Sequence, residues 1–434
     1  MKKYQYLNPL IQDITSGICT ISCRCFIEIF PFDCDGTKLK SQKVSSHILQ
    51  KTRNLSSSNI RIGFWKNCIS GELRHTNMKA VVVGIIHHNT LSMVRCLGMK
   101  GVQTDLIICD NKAVGNYVAT SKYINRVVTV ANATEAVAVL HKDYQYDAWL
   151  ICSDDVAALV DTNLVTMMDK QHQVELAKIV GLDVPYSQVA RIGSEVAVIT
   201  QFPCIVKPLE SIHGGKRIDV CKDKEELYIT FKSYEKGDVV QVQQFIQRDY
   251  EIVVDGVSLS DGNIIIPGYI HKYRDLMGGT TFSETKDIAS LSDNLVDKIK
   301  SLIKQMKYTG LFGVEFIVCR DKYYFIEINL RNDATTYALA VAGVNLPYIY
   351  YLNNNGDNYE HETRCKIREI KAMVELRDVT FLLKGKISLV QWIKDYNRAE
   401  CKYYKVKGDL QPFYFASRQY VISLLGKILK WIKR

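Results

Sequence analysis

The sequence predicts a chain of mixed α/β and α+β architecture: a doubly wound parallel sheet comes first, and a strand-rich region with its own helices follows. Three stretches predict it. From Met78, "MKAVVVGIIHHNTLSMVRCLGMKGVQTDLIICD" reads as a buried strand, a glycine turn, a helix and a second buried strand. Residues 203–270 are dominated by strand-like text, in "PCIVKP", "DVVQVQQFI", "YEIVVDGVSL" and "GNIIIPGYI". Residues 311–333, "LFGVEFIVCRDKYYFIEINLRND", read as two strands around a tight turn.

The 434 residues suffice for two or three domains, and 47% hydrophobic with 24% charged is ordinary for a globular chain. No apolar run reaches the ~18–20 residues of a membrane-spanning helix. The stretch 9–30 is broken by Asp13 and Arg24, which argues against a signal peptide. The net charge of +10 divides into +6 for residues 1–77, +7 for residues 391–434 and −3 for everything between. A central body without a basic footprint argues against nucleic acid as a partner. The 13 cysteines have no zinc-type spacing and sit mostly in apolar contexts, so free thiols in a reducing cytoplasm are expected.

In chain order, residues 1–77 are rich in Cys, Ser and Lys and show no sustained period. Two readings stay open for them: an extension upstream of a natural start at Met78, or a poorly ordered N-terminal arm. A first domain follows over 78–165, with strands at "RVVTVAN" and "AWLICSDD" and a helix from Thr134, a suitable N-cap, to His141. A connecting helix carrying "NLVTMMDKQHQVELAKIVG" ends at Gly181, placed to cap it. It opens a subdomain over 166–240; a second subdomain spans 241–350, with a helix near 291–307 before the two strands. Residues 351–434 form a C-terminal extension.

Closing the 311–333 hairpin around Asp321 sets Glu315 opposite Glu327. Glu327, Asn329 and Arg331 then share a face, with Ile326, Ile328 and Leu330 on the other against Val314 and Phe316. Two carboxylates set opposite each other are destabilising unless something compensates. A divalent cation with oxygen ligands does so, and Mg²⁺ commonly adds phosphate oxygens from its substrate. Arg331 is placed to pair with a phosphate or carboxylate. Acidic residues on a solvated sheet face are the plain alternative.

The segment "GLFGVEFIVCRDKYYFIEINLRNDATTYALAVAGVNLP" resembles the metal-binding end of the ATP-grasp superfamily, nearest to the carbamoyl-phosphate-synthase-like and D-aspartate-ligase-like carboxylate–amine ligases. Other motifs agree in order. The 78–155 text is similar to that family's Rossmann-like pre-ATP-grasp domain. "DK" at 169–170 and "LDVPYS" resemble its connection into an ATP-grasp fold of two subdomains. "FPCIVKP", "VQQFIQRDYEI" and "HKYRDLMGG" resemble the phosphate-lysine strand, the adenine hinge and the segment after it. The likeness runs from Met78 to about Tyr351 and leaves out residues 1–77.

The resemblance implies a ligase that forms a C–N bond (or a thioester) with ATP hydrolysis, through an acylphosphate. It implies ATP with Mg²⁺ or Mn²⁺, two ions, held by Glu315, Glu327 and Asn329. Lys207 would meet the phosphates, Gly214 and Gly215 would close over them, and Lys170 would be a further basic contact. The main chain around Gln243, Gln244, Phe245 and Ile246 would hold adenine, although the family often has an acid where this chain has glutamines. Glu251 is the nearest acid for ribose hydroxyls. Lys272, Arg274 and Arg331 would gather the transferring phosphoryl group and the incoming carboxylate. Small carboxylates and amines are the implied partners, and the oligomeric state, with a dimer among the options, stays open.

His87, His88 and Asn89, with Asp154 and Asp155, end strands of the first domain, where open α/β sheets bind ligands. They are candidates for the acceptor pocket or plain turn residues. The C-terminal "RQYVISLLGKILKWIKR" places Val421, Leu424, Leu425, Ile428 and Ile432 on one helical face and Lys427, Lys430 and Arg434 opposite. Packing on the body and peripheral contact of residues 415–434 with a membrane both fit a cytoplasmic protein. Carbamoyl-phosphate-synthase-type chemistry and a catalytically silent, ATP-binding scaffold are the alternatives in function.

Overall fold

β1 (Ala80–Gly84) is buried along its whole length, as a central parallel strand covered on both faces must be. The structure, a computed structural model, describes residues 79–110, 115–142, 146–193, 201–208, 218–276 and 279–432, all within the unit Leu73–Arg434. The readings of residues 1–77, Gly214 and Gly215 lie outside the described residues. After β1 come α1 (His88–Gly98), β2 (Thr104–Cys109), β3 (Ile124–Val130), α2 (Ala133–Lys142) and β4 (Ala148–Ile151). The four strands form a parallel sheet in the order β3-β2-β1-β4. Alternation divides its core: Ala80, Val82, Leu106 and Ile108 pack toward α1, while Val81, Val83 and Ile107 pack with Ala136 and Leu140 of α2. β1 ends at a glycine because a Cβ on Gly84 would lie 2.4 Å from Thr90 Oγ1.

The strand expected through Asp155 stops at Ile151, and α3 (Asp154–Val160) follows. The single connecting helix of the sequence reading is two helices, α4 (Asn163–Met167) and α5 (Lys170–Ile179). The cause is Asp169, whose backbone is extended and whose side chain accepts the His172 N–H at 2.8 Å, starting a new helix at Lys170. Gly181, at φ +78°, turns the chain out of α5.

β5 (Ser187–Arg191), β6 (Cys204–Pro208), β7 (Asp219–Cys221), α6 (Lys224–Lys232) and β8 (Val239–Gln244) make a small subdomain. Its antiparallel sheet, ordered β5-β8-β6-β7, carries a core of Ala190, Cys204, Val206, Cys221, Leu227, Val240 and Val242. This sheet continues to Gln244, beyond the boundary expected at 240.

β9 (Tyr250–Ser258), β10 (Ile264–Leu276), β11 (Gly279–Asp287), α7 (Asp293–Gln305), β12 (Gly310–Cys319), β13 (Lys322–Asn329), α8 (Thr336–Ala342) and α9 (Leu346–Asn355) come next. The chain then supplies β14 (Lys371–Met373), α10 (Glu375–Leu383), α11 (Leu389–Arg398), β15 (Ala399–Lys402) and α12 (Gln411–Ile432). The large sheet is ordered β13-β12-β9-β10-β11-β14-β15. Residues 351–434 therefore do more than extend the chain, because they provide its last two strands. On one face Ile252, Val254, Phe312, Val314, Phe316 and Phe325 pack with Leu295, Ile299, Leu302 and Ile303 of α7. Residues of the other parity point to the opposite face, toward the first domain and the C-terminal helices.

Two buried polar anchors fix that packing. Arg95 of α1, fully buried, donates to Asp409 Oδ2 at 2.8 Å, to Asp409 O at 3.0 Å and to the carbonyls of Tyr403 and Tyr404. Glu375 accepts the N–H groups of Tyr403, Tyr404 and Lys405 at 2.9, 3.0 and 2.8 Å. The eight described cysteines are free, five of them are buried, and Cys365 is exposed.

Candidate functional site

The hairpin of β12 and β13 sets Glu315 across from Glu327 and Gly313 across from Asn329. The turn that does this differs from the expected one. Cys319 pairs with Lys322, so the loop is the two residues Arg320 and Asp321, at φ +48° and +61°. Positive φ at both positions gives the turn type whose twist suits a hairpin. A bulge beside Glu315 and Phe316 restores the acidic register: Phe316 faces Phe325, and Phe325 takes the core position expected for Ile326.

Around the paired acids the strands converge. Lys272 of β10 is buried and donates to Glu315 Oε2 at 2.6 Å, with Glu251 Oε2 at 3.5 Å. Asn329 Nδ2 lies 3.5 Å from Glu315 Oε1. Arg331 reaches Asn329 Oδ1 at 3.3 Å and Asp154 Oδ1 at 2.7 Å. Asp154 thus steadies the arginine from the first domain. Asn89 of α1 does the same for the adjoining loop, donating to Asn332 O at 2.9 Å. Burial pushes the Glu315 carboxyl up to about 7, and the charges of Glu327 and Asp333 push the same way against Lys272. The ion pairs hold Lys272 and Arg331 above their ordinary ranges.

A divalent cation fits this donor chemistry, since two carboxylates and an amide oxygen present hard oxygen ligands and mutual repulsion that a cation relieves. Among the described residues no group of three or more His, Cys, Asp or Glu gathers round one point, so a bound ion would also draw on ligand oxygens.

Behind Glu315 sits Asp255, on β9 across from Gly313. It is fully buried, neither of its oxygens has a hydrogen-bond partner in good geometry, and a Cβ on Gly313 would lie 3.0 Å from its Oδ1. Burial and then the Asp333 charge raise its pKa well above the usual range. Nothing in the sequence singled it out, because an aspartate within an apolar strand reveals its neighbours only once the strands pair.

Lys207 and Lys170 are brought together between the small sheet and α5. Both are buried, and Lys207 Nζ lies 3.3 Å from Gln243 Oε1. Burial, then the Lys170 charge, pull the Lys207 ammonium down to about 8. At the hinge, the N–H groups of Gln244 and Phe245 are already given to Tyr186 O at 2.7 Å and Pro203 O at 3.2 Å. A base held here must therefore use other main-chain groups, near Ile246. Glu251 is engaged by Arg248 as well as by Lys272.

Arg274 does not join the cluster. Bulges on either side of it change its direction, and its guanidinium is bidentate to Asp378 at 2.9 Å, bonds Asp395 at 2.6 Å and lies over the Phe282 ring. Arg377, which the sequence reading missed, takes a place near the site instead. It lies 3.2 Å from His87 Nε2 and donates to Leu276 O at 3.0 Å. Burial and the Arg377 and Arg331 charges bring His87 down to about 4, so its ring is neutral; burial, then His87 and Arg377, lower His88. Asp155 is exposed on α3.

Comparisons with known proteins concern the same region of the chain. The ATP-grasp domain family matches residues 168–342. The carbamoyl phosphate synthase large chain of Pseudothermotoga lettingae is 32% identical over 168 residues, which are 36% of this chain and 15% of that protein. The formate-dependent phosphoribosylglycinamide formyltransferase of Tolumonas auensis is 29% identical over 139 residues, 30% of this chain and 34% of that protein. The matches thus span about a third or less of these relatives. Among solved structures, an L-amino acid ligase from Bacillus licheniformis superposes with a TM-score of 0.54 at 14% identity, over 69% of this chain and 80% of that one. The ADP complex of an N5-carboxyaminoimidazole ribonucleotide synthetase gives 0.55 at 11%, over 73% and 87%. The match to the ATP-grasp domain family thus takes in the small subdomain and the acidic hairpin, from residue 168 to residue 342.

Proposed function

We propose that this chain is an ATP-dependent ligase that activates a small carboxylate as an acylphosphate and joins it to an amine, or to a thiol. The observation that carries the reading is the pairing of Glu315 with Glu327 beside Asn329, with Lys272 and Arg331 converging on them. Mg²⁺ or Mn²⁺, as two ions, would be held by Glu315, Glu327 and Asn329 and would supply charge neutralisation at the phosphates. In the first step a carboxylate oxygen attacks the γ-phosphorus, the β–γ bridging bond breaks and ADP leaves. In the second, the amine attacks the acyl carbon, the C–O bond breaks, and phosphate departs with one carboxylate oxygen while the amine loses a proton.

This chain's residues position and neutralise, as phosphoryl transfer requires. Lys207 and Lys170 receive the phosphates, and the glutamine hinge receives the base. Arg331, steadied by Asp154, faces the transferring group. Arg377, beside neutral His87, offers its charge to the acceptor side. Arg274, held by two aspartates, braces β10 behind Lys272. Small molecules are the partners of this chemistry, with no role for nucleic acid.

The test is phosphate release from Mg-ATP with pooled D- and L-amino acids and small dicarboxylates, comparing wild type with Glu327→Ala. Release that depends on particular pools and disappears in the variant supports the ligase. ATP binding without turnover in any pool would instead favour a nucleotide-binding scaffold.

A further inference from the structure

Helix α12 begins on the body and then leaves it. Pro412 and Ala416 are buried, and Tyr117, Tyr404 and Phe413 join the same core. From Val421 the burial ends: Val421 and Ile422 are 52% exposed, Leu425 is 53% exposed, and Ser423 between them is exposed too. Successive helical residues point about 100° apart, so exposure at 421, 422, 423 and 425 means no neighbour on most sides. Apolar side chains held out in this way are expected to meet something.

The chemistry of the segment says what. From Leu410 to Arg434 there are five basic residues, Arg418, Lys427, Lys430, Lys433 and Arg434, and no Asp or Glu. Upstream, two of the acids in 391–434 are spent internally, Asp395 on Arg274 and Asp409 on Arg95. The third, Glu400, is exposed and paired with Arg368, so the segment from Leu410 onward is the part whose charge is of one sign. Its sequence interleaves aliphatic and lysine positions at helical spacing and closes with Trp431 between basic residues, the composition of a helix that lies in a lipid interface. Among the described residues no helix is long and apolar enough to cross a membrane.

We propose that the distal half of α12 docks the protein onto an anionic lipid surface. The apolar side enters the headgroup boundary while the lysines meet lipid phosphates. A protein partner would have to match an unbroken basic and aliphatic strip with an equally acidic one. A bilayer of anionic lipid supplies that complement without a tailored site.

The experiment is co-sedimentation of the full chain with phosphatidylcholine vesicles, with and without about one third phosphatidylglycerol. The expected result is binding to the anionic vesicles at least about tenfold tighter than to neutral ones, weakened by added salt. The pair Val421→Glu and Leu425→Glu, at exposed positions, should reduce it by about tenfold or more with an unchanged melting temperature. Equal binding to both vesicles, binding to neither, or full binding by the double variant would overturn the proposal. So would light scattering that shows a dimer which this variant dissociates, since the face would then meet a second copy of the chain.

Discussion

Lys207 is enclosed by β6, β8 and α5, and its proton is held loosely, at about 8 against an ordinary 10.5. The sign of the consequence follows from which state keeps the proton. Between about 8 and 10.5 the unfolded chain still carries it and the folded chain has released it, so the Lys207 contribution to stability rises with pH across that window. Phosphate binding needs the charged form, so nucleotide affinity should fall as pH climbs through about 8. Calorimetric titration of ATP across this range should show that decline, and Lys207→Met should bind about 10–100-fold more weakly with a flat profile. Lys207 was legible because a lysine ending an apolar strand stands out. Glu315, Glu327, Asn329 and Arg331 were legible because strand alternation converts spacing into a shared face. Arg274 and Arg377 were not. Local bulges decide where the first points, and the second comes from a helix that reaches the site only through tertiary packing.

At the scale of elements, the acidic hairpin depends on α5. Gln173 is buried, donates to Ile328 O at 3.0 Å and accepts the Ile328 N–H at 3.1 Å. One side chain thus satisfies the edge of β13 between Glu327 and Asn329, the two positions proposed as ligands. Gln173→Leu would leave both backbone groups buried without partners, and should cost about 2–5 kcal/mol in urea unfolding. It should also weaken Mn²⁺-dependent nucleotide binding more than nucleotide binding without metal. The strands themselves were readable from their period, and the facing of Glu315 with Glu327 was readable too. The turn and its bulge were not, because nothing in Arg320 and Asp321 announces two positive φ values. Asp169 is the converse: a capping residue inside helical text that divided one expected helix into two.

At the scale of the whole molecule, the C-terminal third closes the large sheet and ties it to the first domain. Its central tie is Arg95 with Asp409, both buried. Asp409→Ala would strand a buried guanidinium, and an equilibrium denaturation midpoint should report a loss of about 3–5 kcal/mol. The order of domains was visible in the sequence as changes of period and composition. The joining of β14 and β15 to a sheet begun at residue 250 was not, since strand neighbours that distant leave no local trace. The central claim, that these parts together activate a carboxylate by phosphorylation, has a direct test. In any pool that supports ATP turnover, the carboxylate is supplied with a heavy oxygen isotope and the released phosphate is weighed by mass spectrometry. The account predicts that one labelled oxygen appears in the phosphate. Turnover that yields only unlabelled phosphate would contradict it.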